Sequence, residues 1–267
     1  MTSRQSFASN FKLPTLTYRV WRVWRRDFDV FMKTFKVNFF PPLLEPIFYL
    51  VGLGFGLGIF VQNIEGYSYV KFIAPALVAI SIMNSSFFEC TYGSFVRMYY
   101  QKTFDAIIAT PISIEEVIAG ELLWGATRSL ISSSIVLAVV AAFGLVSSPW
   151  FLLIPVIAFL GGLMFSSMAM CFTSLAPNID FFNYPGFLFI TPMFMLSGTF
   201  FPLSQFPPSM QVLAQIILPL THTVILCRGL IFGNLGASLL ISLAWIAVVT
   251  PFFFVLSINR MKKKLIK

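Results

Sequence analysis

Charge is scarce in this 267-residue chain: Asp, Glu, Lys and Arg make up 10% of it, while 58% is hydrophobic. Ordinary soluble domains carry about 25% charged residues. Eighteen basic and ten acidic side chains cannot clothe a water-soluble globule of this length, which excludes a soluble enzyme. The apolar content equally excludes a disordered or fibrous chain. Histidine occurs once, as His222, so no Ser/His/Asp arrangement and no clustered acid–base site can be assembled around it. The three cysteines, Cys90, Cys171 and Cys227, stand too far apart for metal-ligand spacing and read as small apolar packing residues. No glycine is followed by lysine, so the phosphate-cradling loop of nucleotide-binding proteins is missing. If this chain moves cargo with ATP, another polypeptide holds the nucleotide. The first 40 residues lack the short apolar core and small-residue cleavage site of a signal peptide. No internal repeat is visible, which weighs against an inverted-repeat secondary transporter.

What remains is an all-α integral membrane protein, with a mean hydropathy of +0.86 and apolar runs long enough to cross about 30 Å of hydrocarbon. Six are legible, at about 42–61, 70–92, 117–145, 150–175, 182–201 and 237–257. The basic residues Arg4, Lys12, Arg19, Arg22, Arg25, Arg26, Lys33 and Lys36 precede the first run, and Arg260, Lys262, Lys263, Lys264 and Lys267 follow the last. Because Lys and Arg accumulate on the cytoplasmic side, both termini are expected there and the number of spans is even. The net charge of +8 is thereby read as topology and attraction to anionic lipid, with no nucleic-acid partner. The organisation expected is a cytoplasmic tail and interfacial helix over 1–36, a six-span domain over 37–258 and a basic tail over 259–267.

Three segments depart from simple spans. From Thr15 to Phe35, Tyr18, Trp21, Trp24, Phe28, Phe31, Met32 and Phe35 recur at steps of three and four. Arg22, Arg25 and Arg26 fall between them, the pattern of an amphipathic helix lying in the membrane interface. Residues 93–116 form the longest polar interior stretch, with its loop over 97–116. Within it Thr103 is placed to cap a short helix and Asp105 to favour its first turn. Phe104, Ile107 and Ile108 then form an apolar stripe, and Pro111 ends the helix. A short helix with an apolar knob toward the cytosol is a docking element. Residues 202–233 are apolar but broken by Pro202, Pro207, Pro208 and Pro219 and carry His222 and Arg228. Pieces this short fit a re-entrant pair of helices on the external side. Four ionisable residues, Glu45, Glu89, Glu121 and Arg128, fall in or near spans, where charge faces the bundle interior or water. Glu121 and Arg128 lie two helical turns apart on one face, free to pair with each other or to take separate partners.

Three stretches taken in order resemble the permease subunits of ABC-2 type exporters. They are Phe104-Asp105-Ala106-Ile107-Ile108-Ala109-Thr110-Pro111-Ile112-Ser113 with Gly120-Glu121, then Leu196-Ser197-Gly198-Thr199-Phe200-Phe201-Pro202, and finally Leu218-Pro219-Leu220-Thr221-His222-Thr223 with Arg228-Gly229-Leu230. The last two are similar to the branch that includes nodulation lipo-oligosaccharide exporters. The resemblance implies six spans, an interfacial first helix, and a coupling helix at Thr103–Ala109 seated in a cleft of a separate ATPase. It also implies a re-entrant pair before the last span. Two permeases would pair with two ATPase subunits, which hold ATP and Mg, so this chain has no cofactor or catalytic residue of its own. The place expected is the cytoplasmic membrane of a bacterium. The 32 Phe, 8 Tyr and 5 Trp suit an amphiphilic cargo, a lipid-linked saccharide, a lipid or a hydrophobic drug. An ATP-independent secondary transporter or channel is the alternative.

Overall fold

The computed structural model describes residues 13–56, 58, 60, 61, 63, 64 and 66–266. Among these the chain is helical, with one isolated antiparallel bridge between Ile64 and Tyr67. Helix α1 (Val20–Lys33) passes through Thr34 directly into α2 (Phe35–Gly56). Then come α3 (Tyr69–Tyr100), α4 (Thr103–Ile108) and α5 (Ile114–Ala142). They are followed by α6 (Pro149–Leu175) and α7 (Ile179–Leu196), α8 (Pro208–Ile217), α9 (Pro219–Phe232) and α10 (Ala237–Leu265). Six of these, α2, α3, α5, α6, α7 and α10, are long and apolar enough to cross a membrane. The pair α8–α9 is bent by 92° at Leu218, just before Pro219, which removes a backbone donor where the helix would continue. The pair has the form of the re-entrant segment the prolines announce.

The centre of the bundle is α3, which packs on α5, α6, α9 and α2. Phe72, Ile82 and Met83 of α3 are fully enclosed, as are Ile118 and Leu122 of α5 and Met164 and Phe165 of α6. Small residues let these helices approach, as transmembrane packing requires. The Ser129 hydroxyl donates across to the Ala158 carbonyl at 2.7 Å, and Thr173 to the Cys90 carbonyl at 2.7 Å. By contrast α2, α7 and α10 turn much of their apolar surface outward, through residues such as Phe48, Phe187, Leu188, Leu240 and Val248.

Several boundaries differ from the hydropathy reading, for one shared reason. A charged or prolyl residue ends an apolar run in the sequence but does not end a helix whose polar groups find partners. α2 starts at Phe35 and keeps Pro41, Pro42 and Pro46 within it. α3 runs on past Tyr92 to Tyr100 through two wider π turns, Glu89–Gly93 and Val96–Tyr100, so the connection to α5 is shorter than 97–116. The basic tail continues α10 as far as Leu265. Its Lys262 Nζ lies 2.5 Å from Glu115 Oε1, and Lys264 donates to the carbonyls of Thr173 and Ala176 at 2.9 and 2.6 Å.

α1 is fastened along α5. Val20, Val23, Asp27 and Phe31 form its buried row, and the Trp24 indole donates to Thr127 at 2.8 Å. Gly120 makes this approach feasible, because a Cβ there would sit 2.6 Å from the Cβ of Val23. Trp21, Arg22 and Arg25 stay on the outer side, which leaves an exposed aromatic and basic face.

Candidate functional site: a buried ion cluster behind the short helix α4

The short helix α4 is preceded by Lys102 in the left-handed region, φ 53°, an uncommon conformation for a residue with a side chain. Thr103 is the first helical residue and no side chain caps the helix, so the expected Thr103 cap is not made. The expected orientation of the apolar stripe is also reversed. Phe104 is completely buried in the core, with Ile107 and Ile108 half-buried beside it. Asp105, Ala106, Ala109, Thr110 and Pro111 are the exposed residues. A lone phenylalanine at a loop helix gains about 1.5–3 kcal/mol by burial, and the adjacent bundle offers it that burial. α4 is thus anchored by its aromatic residue and presents a small, mildly polar face.

The far side of α4 is fixed by the start of α5. Ser113 and Glu116 form a reciprocal capping box, with Ser113 Oγ accepting from the Glu116 amide at 3.2 Å and Glu116 Oε2 accepting from the Ser113 amide at 2.8 Å. The approach to α1 is tied to the same turn. The Thr15 amide donates to Glu115 at 2.7 Å, Thr17 to Glu116, and Arg19 to the carbonyl of Pro111.

Behind α4 six charged side chains from three helices converge: Arg26 and Asp27 of α1, Glu89 and Arg97 of α3, and Glu121 and Arg128 of α5. Arg97 is the hub. Its Nε donates to both oxygens of Glu121 at 3.1 and 2.9 Å, and its Nη2 reaches Oε2 at 2.6 Å. Its Nη1 reaches Glu89 at 2.8 Å, and Asp27 stands 3.9 Å from its Nε. Arg26 pairs with Asp27 and reaches Glu121 at 3.2 Å. Arg128 Nε lies 3.6 Å from Glu89, its Nη2 donates to Asn38 of α2 at 2.6 Å, and its guanidinium sits 4.7 Å above the Phe31 ring. Ser94 donates to Glu121 at 2.7 Å and the Trp124 indole to Glu89 at 2.9 Å. Three basic side chains face three acidic ones, and such pairing is the condition under which buried ions are tolerated.

Two features show that this cluster is not a sealed brace. Asp27 Oδ2 is buried and has no hydrogen-bond partner among the described residues. Burial, reinforced by the nearby Glu121 charge and opposed by Arg97 and Arg26, pushes the Asp27 carboxyl up to about 7. A cavity of about 490 Å³ also opens on the cluster, lined by Arg26, Asp27, Glu89, Arg97 and Arg128 and reaching Thr103 at the start of α4.

Glu121 and Arg128 therefore take separate partners. Glu45 lies apart, on the exposed side of α2. In the segment 202–233, Pro202, Pro219 and His222 are buried and Pro207 is exposed. The His222 ring bridges the Gln215 carbonyl at 2.8 Å and Ser242 at 3.2 Å, and it stacks on Trp245 at 4.4 Å. It joins α8, α9 and α10. Arg228 donates to the Gly198 carbonyl at 3.0 Å and covers the Phe72 ring at 4.0 Å, tying α9 to the turn after α7. Sequence reasoning missed Arg97 and Asp27. Arg97 falls in the polar stretch assigned to a loop. The signal for Asp27 is present, because an acid on the row Val20, Val23, Phe31 needs a base inside the bundle.

The model of the ABC-2 type transporter family matches residues 18–232. Nodulation protein J of Sinorhizobium fredii is 38% identical over 257 residues, 95% of this chain and 97% of that protein. Nodulation protein J of Bradyrhizobium diazoefficiens is 39% identical over 251 residues, 93% and 95% of the two chains. The inner membrane transport permease YadH of Escherichia coli is 23% identical over 214 residues, 80% and 82% of the two chains.

Proposed function

Because this chain belongs to the ABC-2 type transporter family, we propose that it is the membrane-spanning subunit of an ATP-driven exporter of an amphiphilic cargo. A separate ATPase, two copies per assembly, holds ATP and Mg and acts on two copies of this permease. The complex sits in the cytoplasmic membrane of a bacterium with both permease termini in the cytosol. The cargo class is a lipid-linked saccharide, a lipid or a hydrophobic drug.

The observation that carries this reading is the connection from α4 to the spans. Two residues, Gln101 and Lys102, separate α4 from α3, and Arg97 at that end of α3 is bonded into α5 and stands beside Asp27 of α1. An ATPase that holds the exposed face of α4 and moves as it closes on ATP would displace Phe104 and the end of α3 together. Arg97 would pass that displacement to α5 and α1, and Arg128 to α2 through Asn38. Coupling needs an element with two arrangements whose balance ATP shifts. A cluster of paired charges with one carboxyl oxygen of Asp27 left unbonded and a cavity beside it can rearrange without stranding a charge. The exposed basic face of α1, Arg22 and Arg25, supplies a second contact for the ATPase or for anionic lipid.

The test is copurification of the tagged chain with an ATPase, comparing Ala106→Asp with the parent. The substituted residue lies on the outer face of α4, so the fold should survive while ATPase binding or cargo-stimulated hydrolysis falls. Full retention of both would remove α4 from the coupling path.

A further inference from the structure

α10 is one helix of 29 residues, Ala237–Leu265. At 1.5 Å per residue it is about 43 Å long, enough to cross the hydrocarbon and reach both interfaces. Its two ends are tied to opposite ends of the bundle. At the α4 end the Lys264 ammonium donates to the carbonyls of Thr173 and Ala176 at 2.9 and 2.6 Å. These lie where α6 ends, and a cation there meets carbonyls left without a partner in their own helix. The same ammonium stands 5.3 Å from the Tyr99 ring and 6.0 Å from the Phe95 ring. Those rings lie 4.4 Å apart in the last turns of α3, and Tyr99 is four positions before the first residue of α4. Lys262 reaches Glu115 at 2.5 Å, the acid that also accepts the Thr15 amide ahead of α1. The last turn of α10 therefore holds α3, α5 and α6 at the place where α4 leaves the bundle. At the opposite end Ser242 lies 3.2 Å from the His222 ring and Trp245 stacks on it. The second ring nitrogen of His222 reaches the Gln215 carbonyl in the last turn of α8, so the bent pair α8–α9 is pinned to α10. Between the two ends a single buried row, including Ser242, Ile246, Thr250, Ile258 and Met261, faces the bundle. No charged residue occurs from Ala237 to Asn259, so no ion pair fixes that seam, and Pro251 lies within the helix without ending it.

We infer that α10 is a transmission rod. Lys264 and Lys262 clasp the α4 end of the bundle, and His222, held by Ser242 and Trp245, hands the movement of α10 to the bent pair α8–α9 at the far end. This deepens the export reading, on which it rests for its role, by naming the element that carries an ATPase-driven shift across the membrane. Lys262, Lys264 and His222 are positioning residues in this scheme. When the end of α3 moves, Phe95 and Tyr99 move with it, and the ammonium seated between their rings and the end of α6 is drawn along. A helix bonded at every turn answers a push at one end by tilting as a unit, and rigid elements of this kind carry coupling between distant sites. A tilt of α10 displaces Ser242 and Trp245, and with them His222 and the bend at Leu218.

The experiment reads amide exchange by mass spectrometry on the full chain in lipid nanodiscs, first without nucleotide and then with its copurified ATPase trapped by ATP and vanadate. Lys264→Met should speed exchange at 172–176 and 258–264 by about tenfold, the weight of a charged hydrogen bond. The rod requires a second change, about threefold faster exchange at 212–222, which lies about 33 Å away along the helix. The interior of α5, 118–140, should stay as in the parent. Lys264→Arg should reverse both changes, because a guanidinium also donates to two carbonyls. Ser242→Ala supplies the reciprocal reading, faster exchange at 258–264 with Lys264 intact, since coupling acts in both directions. A change confined to 172–176 and 258–264 would make Lys264 a local brace and overturn the rod. Exchange at 212–222 that rises no more than exchange in α5 would overturn it as well. In the complex, trapping should alter exchange at 212–222 in the parent but not in Lys264→Met, while its effect on α4 persists in both. Equal transmission without the ammonium also overturns the rod. If no ATPase copurifies, or trapping alters no segment, the export reading falls alone, because the comparison without nucleotide still decides the rod.

Discussion

Removing the Arg97 guanidinium would leave Glu121, fully buried, and Glu89 facing each other without their main counter-charge. Breaking one partner out of a buried ion network costs about 3–5 kcal/mol. Arg97→Gln should therefore lower the thermal unfolding midpoint of the purified protein strongly, and Glu121→Gln in the same background should restore much of it. Arg97→Lys should fall between, since an ammonium keeps the charge but loses the two-pronged grip on Glu121. An unchanged midpoint in Arg97→Gln would mean that the cluster carries no structural weight. Asp27 adds a pH dependence. Its carboxyl is ordinarily acidic but is pushed up to about 7 when α1 is docked, chiefly by burial. The docked form therefore holds a proton that the undocked form releases, and docking is favoured at low pH and loses that contribution as pH rises through about 7. Amide protection in α1, taken relative to the intrinsic base-catalysed exchange rate at each pH, should be greater at pH 6 than at pH 8, and Asp27→Asn should flatten the difference. A slope of the opposite sign would refute the burial argument.

At the scale of elements, α4 and α1 are held by packing rather than by propensity. Six residues are too few to form a stable helix alone. Phe104→Ala should therefore destabilise the protein by about 3–5 kcal/mol, with α4 losing protection from proteolysis, while Ala106→Asp leaves stability nearly unchanged. Equal damage from both would show that α4 is not anchored as described. Gly120→Val should lift α1 from α5, because the contact with Val23 leaves no space for a side chain. The readout is faster exchange confined to α1, and protection equal to the parent would contradict the docking. The existence of α1, α4 and the bent α8–α9 pair was legible from periodicity, from Pro111 and from Pro207, Pro208 and Pro219. Their facing was not. The stripe Phe104, Ile107, Ile108 is equally consistent with a knob turned outward and an anchor turned inward, and the nearby bundle decides between them.

For the molecule as a whole, the charge distribution predicts an orientation with both ends in the cytosol. A reporter fused after Lys267 that is active only in the cytosol should be active, and a periplasmic reporter at the same place should be silent. The reverse would invert the topology and put α4 on the wrong side for an ATPase. The class of protein, the six apolar lengths, the basic termini and the lack of a nucleotide loop are properties of counts and spacings along one chain, so the sequence alone determined them. Tertiary structure alone decided that Arg97 belongs to the bundle, that Glu121 and Arg128 take separate partners, and which side of α4 is free. Those outcomes depend on groups up to a hundred residues apart, brought within hydrogen-bond reach by helix packing. The strength of each charge contact is set by a burial that no local stretch specifies.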